Sequence, residues 1–460
     1  FDPYTVYYPE SEIDEFLQMT TGKYQGIGII LSDINQSHRI SFIEENSPAH
    51  KAGLGIGDQI ISINGTKLGE TPETDPSVLM KGSAGSVVNI EVMQVGKTAP
   101  QTFSIKRETV QIKNVVNASI IRPGVGYILL EDFNASAAKE VKTALLELKK
   151  QGMQKLILDL RNNPGGLLTQ AIDICNLFIP KGAKIVETRG KVEEWNKSYQ
   201  ALNQAVDTET PIIVLINNRS ASAAEIVAGV LQDYDRATIV GLRSFGKGLV
   251  QVTRDLPYRS KIKITTAKYY IPSGRCIQAI DYSENKDTVK QEFKTRKGRK
   301  VNAGGGIEPD VLVGRPQANS LIQQLLKERI FFQYARLYKL KQAKIAPAAN
   351  FHLNDTEYEA FVQWVKSSKF HYESPLEKQM RDVLKETSKD ILYANLTKEL
   401  DRLKPEWDSS VARELQGNKK VIEGLLEQEI VHHYYYKKGI NEWSFEHDPT
   451  LLKSIELIKN

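Results

Sequence analysis

The sequence predicts an α/β protein with an inserted β-rich domain and a C-terminal helical region. From Gly124, near-continuous apolar runs such as "LILDL" and "IIVLI" alternate with amphipathic stretches, as in a parallel sheet covered on both faces by helices. Residues 24 to 107 instead alternate short β-like runs with glycine turns. After about residue 318, apolar residues recur with the helical period. These three patterns place any chemistry in the middle of the chain.

The length of 460 residues fits about three domains of roughly 150 residues each. We expect an N-terminal segment, residues 1–22, that packs on the core, followed by the β-rich domain over residues 23–107. The α/β core is expected over residues 108–318 and the helical region over 319–460. The helical region shows no pattern typical of catalysis.

Composition and charge exclude several classes of protein. The formal net charge is +5, and the basic residues are scattered except in "EFKTRKGRK", Glu292 to Lys300, which we interpret as a solvated loop rather than a nucleic-acid site. Two cysteines, Cys175 and Cys276, cannot form a disulfide framework. The longest wholly apolar run, Ile212 to Ile216, is far shorter than the ~18 residues of a membrane span. A start at Phe1 without a leading basic and apolar segment predicts a processed or truncated form, which is compatible with export.

A small-residue stretch, "NRSASAAEI", marks the first candidate site. A buried strand ends just before it, and a helix is expected to begin near Ser220 to Ser222, with Ile226, Val227, Val230 and Leu231 on its inward face. A helix start offers unpaired N–H groups and a positive dipole end, which suit a developing oxyanion. A serine at this position is nevertheless more often a simple helix cap.

Lys247 lies between two glycines in "SFGKGLVQ", directly after another apolar strand. A lysine shielded from water can lose its proton near neutral pH and then accept the proton of a serine hydroxyl. Gln251 follows four residues later and could hold the amine in place. No histidine occurs between residues 51 and 351, so a base for this region is not a local imidazole.

The same stretch of sequence also resembles a phosphate-binding loop. "GLRSFGKG", Gly241 to Gly248, has the glycine and lysine spacing of that motif, but Gly248 stands where a serine or threonine should hold magnesium. The residues that follow, "LVQVTRDL", favour a strand over the helix that such a loop opens. A nucleotide site is therefore the weaker interpretation.

Several motifs, in order, resemble the carboxy-terminal processing proteases, also called tail-specific proteases, which are serine peptidases of family S41. They are "FDPYTVYYPESEIDEF", "YQGIGI", "SPAHKAGLGIGDQIISINGTKL", "LILDLRNNPGGLL", "SASAAEI", "SFGKGLVQ", "AKYYIPSGRCIQ" and "GGIEPDV". The resemblance implies a ClpP/crotonase-like protease core with an inserted PDZ domain. It covers roughly residues 1 to 315, so the helical region lies outside it.

The resemblance assigns roles residue by residue. It implies Ser222 as nucleophile, Lys247 as base and Gln251 as third member, with Ser220 left as the cap candidate. The glycines of "DLRNNPGG" would bring a backbone N–H to an oxyanion hole, with Gly166 as first choice and Gly165 as second.

The second donor of that hole would be the N–H of Ala223, directly after the nucleophile. The resemblance implies no cofactor and no metal. Cys276 stands where the family commonly has serine, and we interpret this as a neutral exchange of one small residue for another.

The PDZ-like segment predicts recognition of substrate C-termini. The closely spaced Gly26 and Gly28 leave N–H groups for a terminal carboxylate, and Ile27 and Ile29 would line a pocket for the last side chain. The expected partners are proteins or peptides with apolar C-terminal tails, without nucleic acid. Peripheral membrane contact and a homo-oligomer stay open, and the resemblance places the protein in the periplasm or cell envelope.

Two other functions compete with this interpretation. A non-catalytic PDZ scaffold with a degenerate core would have lost the serine or the lysine, and this chain retains both Ser222 and Lys247. An acyl-group enzyme of the related crotonase-like architecture would share the glycine-rich oxyanion hole, but the PDZ insertion and the serine and lysine pair argue against it.

Overall fold

The computed structural model describes residues 2–69, 75–282, 286–288, 291–314, 319–407 and 411–459. The chain divides into two compact units. The first contains Phe1–Gln25, Thr109–Gly314 and Asp448–Asn460, and the second contains Gly26–Glu108 and Arg315–His447. Both units are therefore assembled from separate segments of chain.

The N-terminal segment and the inserted domain precede the α/β core. Their elements are β1 (Val6–Tyr8), α1 (Ile13–Thr21), β2 (Lys23–Gly26), β3 (Ile29–Ile34), β4 (Ser37–Ile43), α2 (Pro48–Lys51), β5 (Gln59–Ile63), β6 (Thr66–Lys67), α3 (Pro76–Met80), β7 (Val87–Met93) and β8 (Gln101–Lys106). The inserted sheet has the order β3-β4-β5-β7-β8, with β6 paired to β5, so β3 lies at one end of it. Its inward side chains, among them Ile27, Ile40 and Val88, form a separate hydrophobic core.

The α/β core follows as an alternation of strands and helices. Its elements are β9 (Glu108–Gln111), β10 (Val115–Arg122), β11 (Val125–Leu130), α4 (Ala137–Lys150), β12 (Lys155–Asp159), α5 (Leu168–Asn176), β13 (Lys184–Gly190), β14 (Lys197–Gln200), β15 (Ile212–Ile216), α6 (Ala223–Asp233), β16 (Ala237–Gly241), β17 (Leu249–Asp255), β18 (Lys261–Tyr270), β19 (Ile280–Asp281), β20 (Lys286–Asp287), β21 (Glu292–Lys294), β22 (Lys300–Asn302) and β23 (Val311–Leu312). This order confirms the α/β class that the alternation of apolar runs predicts.

Two sheets organise this core. The central sheet has the order β10-β11-β12-β15-β16-β23, in which all neighbours run parallel except β10 and β11. All five residues of β15 are buried, as expected for a strand covered on both faces. The other sheet is antiparallel, with the order β1-β18-β13-β14 and β17 paired to β18.

Two local expectations hold in part. The sequence predicts an inward stripe on α6, and its four residues lie in the core, but all 11 residues of the helix are buried, so it is enclosed on every side. The basic run Glu292 to Lys300 is predicted as a solvated loop; most of it is exposed, but it belongs to the β21–β22 hairpin. Within it, Arg299 forms an ion pair with Asp235 at 2.6 Å.

The C-terminal region is helical, as predicted. Its helices are α7 (Ser320–Lys327), α8 (Ile330–Lys341), α9 (Asp355–Ser367), α10 (Pro375–Thr387), α11 (Ala394–Trp407), α12 (Val411–Gly417), α13 (Lys419–His447) and α14 (Pro449–Lys459). α13 is kinked at Tyr436, whose φ of 54° and ψ of −154° are not helical. α14 belongs to the first unit and packs against β15 and β16. Among the helices in the described ranges, none has the length and apolar character needed to cross a bilayer.

Candidate active site

Ser222 lies at the sharp turn between β15 and α6. Its φ of 52° and ψ of −112° are unusual for a residue with a side chain, and such strain persists only where the surroundings impose it. The Ser222 N–H donates to the Glu225 carboxylate at 2.8 Å, and its carbonyl accepts from the Tyr269 hydroxyl at 3.2 Å. The turn is therefore held from both sides, with the side chain partly exposed among buried neighbours.

The assignment of Ser220 as helix cap is wrong, because Ser222 itself occupies the N-cap position of α6. Ser220 is fully buried two residues earlier. Its hydroxyl donates to the Leu160 carbonyl at 2.8 Å and accepts from the Asn217 N–H at 2.9 Å. Ser220 thus ties the turn to the end of β12 rather than capping the helix.

Lys247 lies on the loop between β16 and β17, with its side chain half-buried. Its Nζ stands 4.4 Å from the centroid of the Tyr4 ring. Burial, together with the positive charge of Lys263, lowers the pKa of Lys247 from 10.5 to about 8. The strand β17 begins two residues later, as predicted, so this loop does not open the helix that a phosphate-binding loop requires.

One buried carboxylate connects the serine and the lysine. Glu225 is fully buried on the first turn of α6, and its Oε2 accepts from the backbone N–H groups of both Ser222 and Lys247, at 2.8 and 2.9 Å. Its Oε1 accepts from Ser244 Oγ and the Gly246 N–H, at 2.6 and 2.7 Å. Burial nevertheless raises the pKa of Glu225 from 4.5 to about 7, against the lowering effect of these four donors.

Tyr269 holds the same two residues through their carbonyl groups. Its hydroxyl lies 2.7 Å from the Lys247 carbonyl and 3.2 Å from the Ser222 carbonyl, and its ring is buried. The sequence analysis assigned no role to Glu225 or Tyr269. The Ser222 to Glu225 spacing is the S-x-x-E signature of a capping box and could have indicated the first of them.

Gln251 is bonded differently from what the sequence suggests. It pairs with Thr265 across β17 and β18, and its side-chain amide donates to Thr265 Oγ1 at 3.0 Å. Thr265 Oγ1 in turn donates to Asp2 Oδ1 at 2.9 Å. Within the described residues, neither Gln251 nor Ser222 forms a direct hydrogen bond with the Lys247 ammonium.

The glycine loop after β12 approaches the Ser222 turn closely. A Cβ on Gly165 would lie 2.9 Å from the Ala223 nitrogen, and the Gly165 N–H already donates to Asn163 Oδ1 at 2.8 Å. Gly166 is exposed, at a φ of 151°. Across the described ranges, the N–H groups of Gly166 and Ala223 have no protein acceptor, so both are available to a ligand.

These groups meet at one cavity of about 420 Å³ in the first unit. It is lined by Ser222, Lys247, Gln251, Gly166 and Ala223, the five residues that the sequence analysis assigned to catalysis and the oxyanion hole. Apolar side chains of the N-terminal segment, Tyr8, Phe16 and Met19, complete the wall. The structure therefore brings all five together, although they are spread over residues 166 to 251 of the sequence.

The four residues predicted to bind a substrate C-terminus lie at the beginning of the second unit. Gly26 ends β2, and Ile27 and Gly28 lead into the edge strand β3, which Ile29 begins. Ile27 and Ile29 are buried in the core of the inserted domain. Gly28 has a φ of 85°, and a Cβ there would lie 2.2 Å from Ser47 Cβ, so this position requires glycine.

Comparison with protein families assigns each of these regions. Residues 124–286 match the model of peptidase family S41, and residues 25–106 match the PDZ domain. Residues 321–458 match a model described as the C-terminal helical domain of a probable PDZ-protease. The helical region, which the sequence analysis left outside its resemblance, is thus also shared with a protease family.

Individual relatives agree with the family models. A probable CtpA-like serine protease of Staphylococcus epidermidis is 31% identical over 369 residues, which cover 80% of this chain and 69% of that protein. A carboxy-terminal-processing protease of Bartonella bacilliformis is 35% identical over 319 residues, covering 68% of this chain and 67% of the relative.

Among solved structures, a photosystem II D1 C-terminal processing protease is 29% identical, with a TM-score of 0.39 over 68% of this chain and 78% of that one. The sequence relatives and the matched models agree on one assignment. The chain belongs to peptidase family S41, the serine peptidases that include the carboxyl-terminal-processing proteases, and combines their α/β core with a PDZ domain and a C-terminal helical region.

Proposed function

We propose that this protein is an endopeptidase that cleaves proteins near their C-termini, with Ser222 as nucleophile and Lys247 as general base. The observation that carries the proposal is the shared support of the two residues. Glu225 and Tyr269 bind the main chains of both, which supports a fixed separation of the two backbones at the wall of one cavity. A lysine with a pKa of about 8 is neutral often enough near pH 7 to act as a base.

The chemistry follows from these positions. The neutral Lys247 amine takes the proton of the Ser222 hydroxyl while Oγ attacks the scissile carbonyl carbon. The N–H groups of Gly166 and Ala223 stabilise the negative charge on the carbonyl oxygen. The Lys247 ammonium then gives its proton to the leaving amine. In the second half, the neutral amine takes a proton from the attacking water and returns it to Ser222 Oγ as the C–O bond of the acyl-enzyme breaks.

The Lys247 amine must reach the Ser222 hydroxyl for the first step. Its Nζ lies over the Tyr4 ring, 4.4 Å from the ring centroid. Catalytic hydrogen bonds are often long in free enzymes and tighten only when substrate binds. We infer that a peptide in the cavity displaces the Tyr4 ring and that Nζ swings to Ser222, with Gln251 positioned on the adjacent strand to orient it.

Recognition of the substrate tail is proposed for the inserted domain. Strand β3 lies at the end of its sheet, so a peptide can add to it by main-chain hydrogen bonds. The turn at Gly26 to Ile29 precedes that edge and would receive the terminal carboxylate, with an apolar last side chain against Ile27 and Ile29. Substrates that end in small or apolar residues should therefore be preferred.

The catalytic proposal is tested with Ser222→Ala and Lys247→Ala. We expect each to lower peptide hydrolysis by about 10⁴-fold or more, since removing either member of such a pair abolishes the same step. Lys142→Ala, on an exposed position of α4, is the matched control and should keep full activity. Circular dichroism and thermal melting confirm folding, and near-normal cleavage by folded Lys247→Ala would refute the pair.

Tail recognition is tested with one unfolded substrate in three forms, ending in Ala-Ala, in the amide of Ala-Ala and in Asp-Asp. The first should be cleaved fastest, because only it offers both a free carboxylate and small apolar side chains. Equal rates for all three would refute tail recognition while leaving the catalytic proposal intact.

We also propose that the protein acts outside the cytoplasm, in the periplasm or cell envelope, on the basis of its family. Fractionation of the native cells with an antibody to this chain checks that location. Recovery in the cytosolic fraction alone would refute it.

A further inference from the structure

A cluster of two histidines and a glutamate in the second unit has no part in the proteolytic site. His352 precedes α9, while Glu427 and His447 lie on α13, on opposite sides of the kink at Tyr436. One potential ligand atom from each of the three residues lies within 4.8 Å of the other two. The kink thus returns the end of α13 to its own first half, beside the segment that carries His352.

The hydrogen bonds fix how His447 presents its ring. His447 Nδ1 lies 2.6 Å from the Trp443 carbonyl oxygen, which can only accept, so Nδ1 carries the proton. In the neutral ring, Nε2 then has a free lone pair, and this atom faces His352 Nε2 at 3.3 Å. The indole of Trp443 also stacks on the His447 ring, with centroids 4.3 Å apart, and restrains its orientation.

The Glu427 carboxylate completes the cluster on the other edge of the His352 ring. Its Oε1 lies 3.9 Å from His352 Nδ1, beyond hydrogen-bond distance. A carboxylate beside two imidazoles is a set of groups that suits a cation.

The two imidazole nitrogens that face each other stand at the spacing of ligands in a transition-metal site. Two imidazole nitrogens bound tetrahedrally to zinc at about 2.0–2.1 Å are separated by roughly 3.3 Å. The Nε2 atoms of His352 and His447 stand at that separation. Two imidazoles and one carboxylate are a common zinc ligand set, which leaves a fourth position for water.

Two backbone groups next to the cluster hold the orientation of its side chains. Like the outer partners of known zinc ligands, the Trp443 carbonyl holds the His447 Nδ1 proton, and the Leu353 N–H donates to Glu427 Oε1 at 2.9 Å. Glu427 is buried, whereas the His352 side chain is 62% exposed and gives an ion access from solvent.

We propose that His352, Glu427 and His447 form a binding site for a divalent transition metal of the zinc class. The bound ion joins the two halves of the kinked helix α13 to the segment before α9. It stabilises the helical region and takes no part in peptide hydrolysis, so the proposal does not depend on the proposed function.

The experiment is a calorimetric titration of tag-free, chelator-treated full chain with ZnCl₂. We expect one Zn²⁺ per chain with a Kd of about 1 μM or tighter, and a higher melting temperature in the presence of zinc. His352→Ala should weaken binding by at least about 100-fold, because loss of a ligand exceeds the typical 10-fold to 100-fold cost of losing an outer partner. Substitution with Co²⁺ should give the intense visible absorption of a tetrahedral site.

His371→Ala is the matched control, since His371 is an exposed histidine of the same unit outside the cluster. Glu427→Gln is a second variant, which removes the charge and keeps an acceptor for the Leu353 N–H. The proposal is overturned if the wild type binds no zinc at this level, or if binding survives unchanged in both His352→Ala and Glu427→Gln.

Discussion

Two groups of residues surround Ser222 and Lys247 and act on them in different ways. We call Glu225 and Tyr269 the floor, because both are buried and bind the main chains of Ser222 and Lys247. We call Asp2, Tyr4, Gln251, Lys263 and Thr265 the rim, because all five are half-buried and act through side chains.

The floor makes short hydrogen bonds to backbone groups, which fix position. The rim instead changes the charge environment of one amine, since Lys263 lowers the pKa of Lys247 and Asp2 raises it. Placement therefore depends on the floor and protonation mainly on the rim, although the Glu225 carboxylate also raises the pKa of Lys247. Floor variants should lose rate through misplacement, and rim variants should mainly shift the pH profile.

After Ser222 and Lys247 themselves, the largest effect is expected at Gly166 of the proposed oxyanion hole. In Gly166→Ala, the new Cβ would lie 2.6 Å from the Phe133 carbonyl oxygen, at a φ of 151°, so the backbone must move and its N–H with it. We expect kcat to fall by about 10²-fold to 10³-fold, the typical cost of losing one oxyanion donor. The control is Gly152→Ala, which also has a positive φ, of 87°, but open space around it. Equal activity of the two variants would contradict the assignment of Gly166.

A somewhat smaller loss is expected for Glu225→Gln. Each carboxylate oxygen accepts from at least one backbone N–H, so an amide NH₂ must face a donor in either orientation. The Ser222 turn and the Lys247 loop should separate, and misplacement by about 1 Å costs about 10²-fold in rate. Because the pKa of Glu225 is itself about 7, the loss should be larger at pH 9, where the wild-type carboxylate is ionised, than at pH 6. Glu147→Gln, at an exposed position, serves as control. A loss that disappears at high pH would show that Glu225 acts on the charge of Lys247 rather than on the position of the two backbones.

For the wild type, kcat/KM should rise with pH and level off above about 8, as Lys247 loses its proton. Lys263→Gln removes a positive charge that favours the neutral amine, so the pKa of Lys247 and the rising limb should both move upward. We expect the limb to shift by about half a pH unit. This corresponds to a roughly threefold loss of kcat/KM at pH 7, which is recovered at pH 9. Lys268→Gln, on the same strand, should leave the profile unchanged. A downward shift would have the wrong sign for this account.

The smallest effect is expected for Asp2→Asn. The Asp2 carboxylate favours the ammonium form of Lys247, so its removal should move the rising limb to lower pH, opposite to Lys263→Gln. The shift should be a few tenths of a unit, because the groups are half-exposed and screened. Asp14→Asn, exposed on α1, is the control. If both substitutions moved the limb in one direction, charge would not be the cause.

Sequence motifs were sufficient to select two residues that lie at one cavity, and insufficient to predict the residues that surround them. Ser222 and Lys247 stand in short local patterns, and the structure places both at one cavity. Ser220 was assigned wrongly because either serine of the pair could begin the helix, and only the backbone angles of Ser222 decide between them.

Contacts between residues that are far apart in the sequence could not be predicted from local sequence patterns. Asp2 and Thr265 are 263 residues apart, and His352 and His447 are 95 residues apart, so no pattern within one element links them. Such pairs arise from the way strands and helices are brought together. The hydrophobic periodicity that predicts each element does not specify which elements become neighbours.

The last helix of the first unit has a consequence for biosynthesis. Arg161, just after β12, binds Asp159 at 2.6 Å and Asp448 at 2.7 Å, and Asp448 lies immediately before α14. A ribosome that has finished Gly314 must add 134 more residues, from 314 to 448, before that second carboxylate exists.

At about 5–20 residues per second, this takes roughly 7–27 s. During that interval the guanidinium at the base of the glycine loop lacks one of its two acids, and β15 and β16 lack the helix that covers them. The first unit therefore receives its last helix only after the 133 residues from 315 to 447, which belong to the second unit, have been translated.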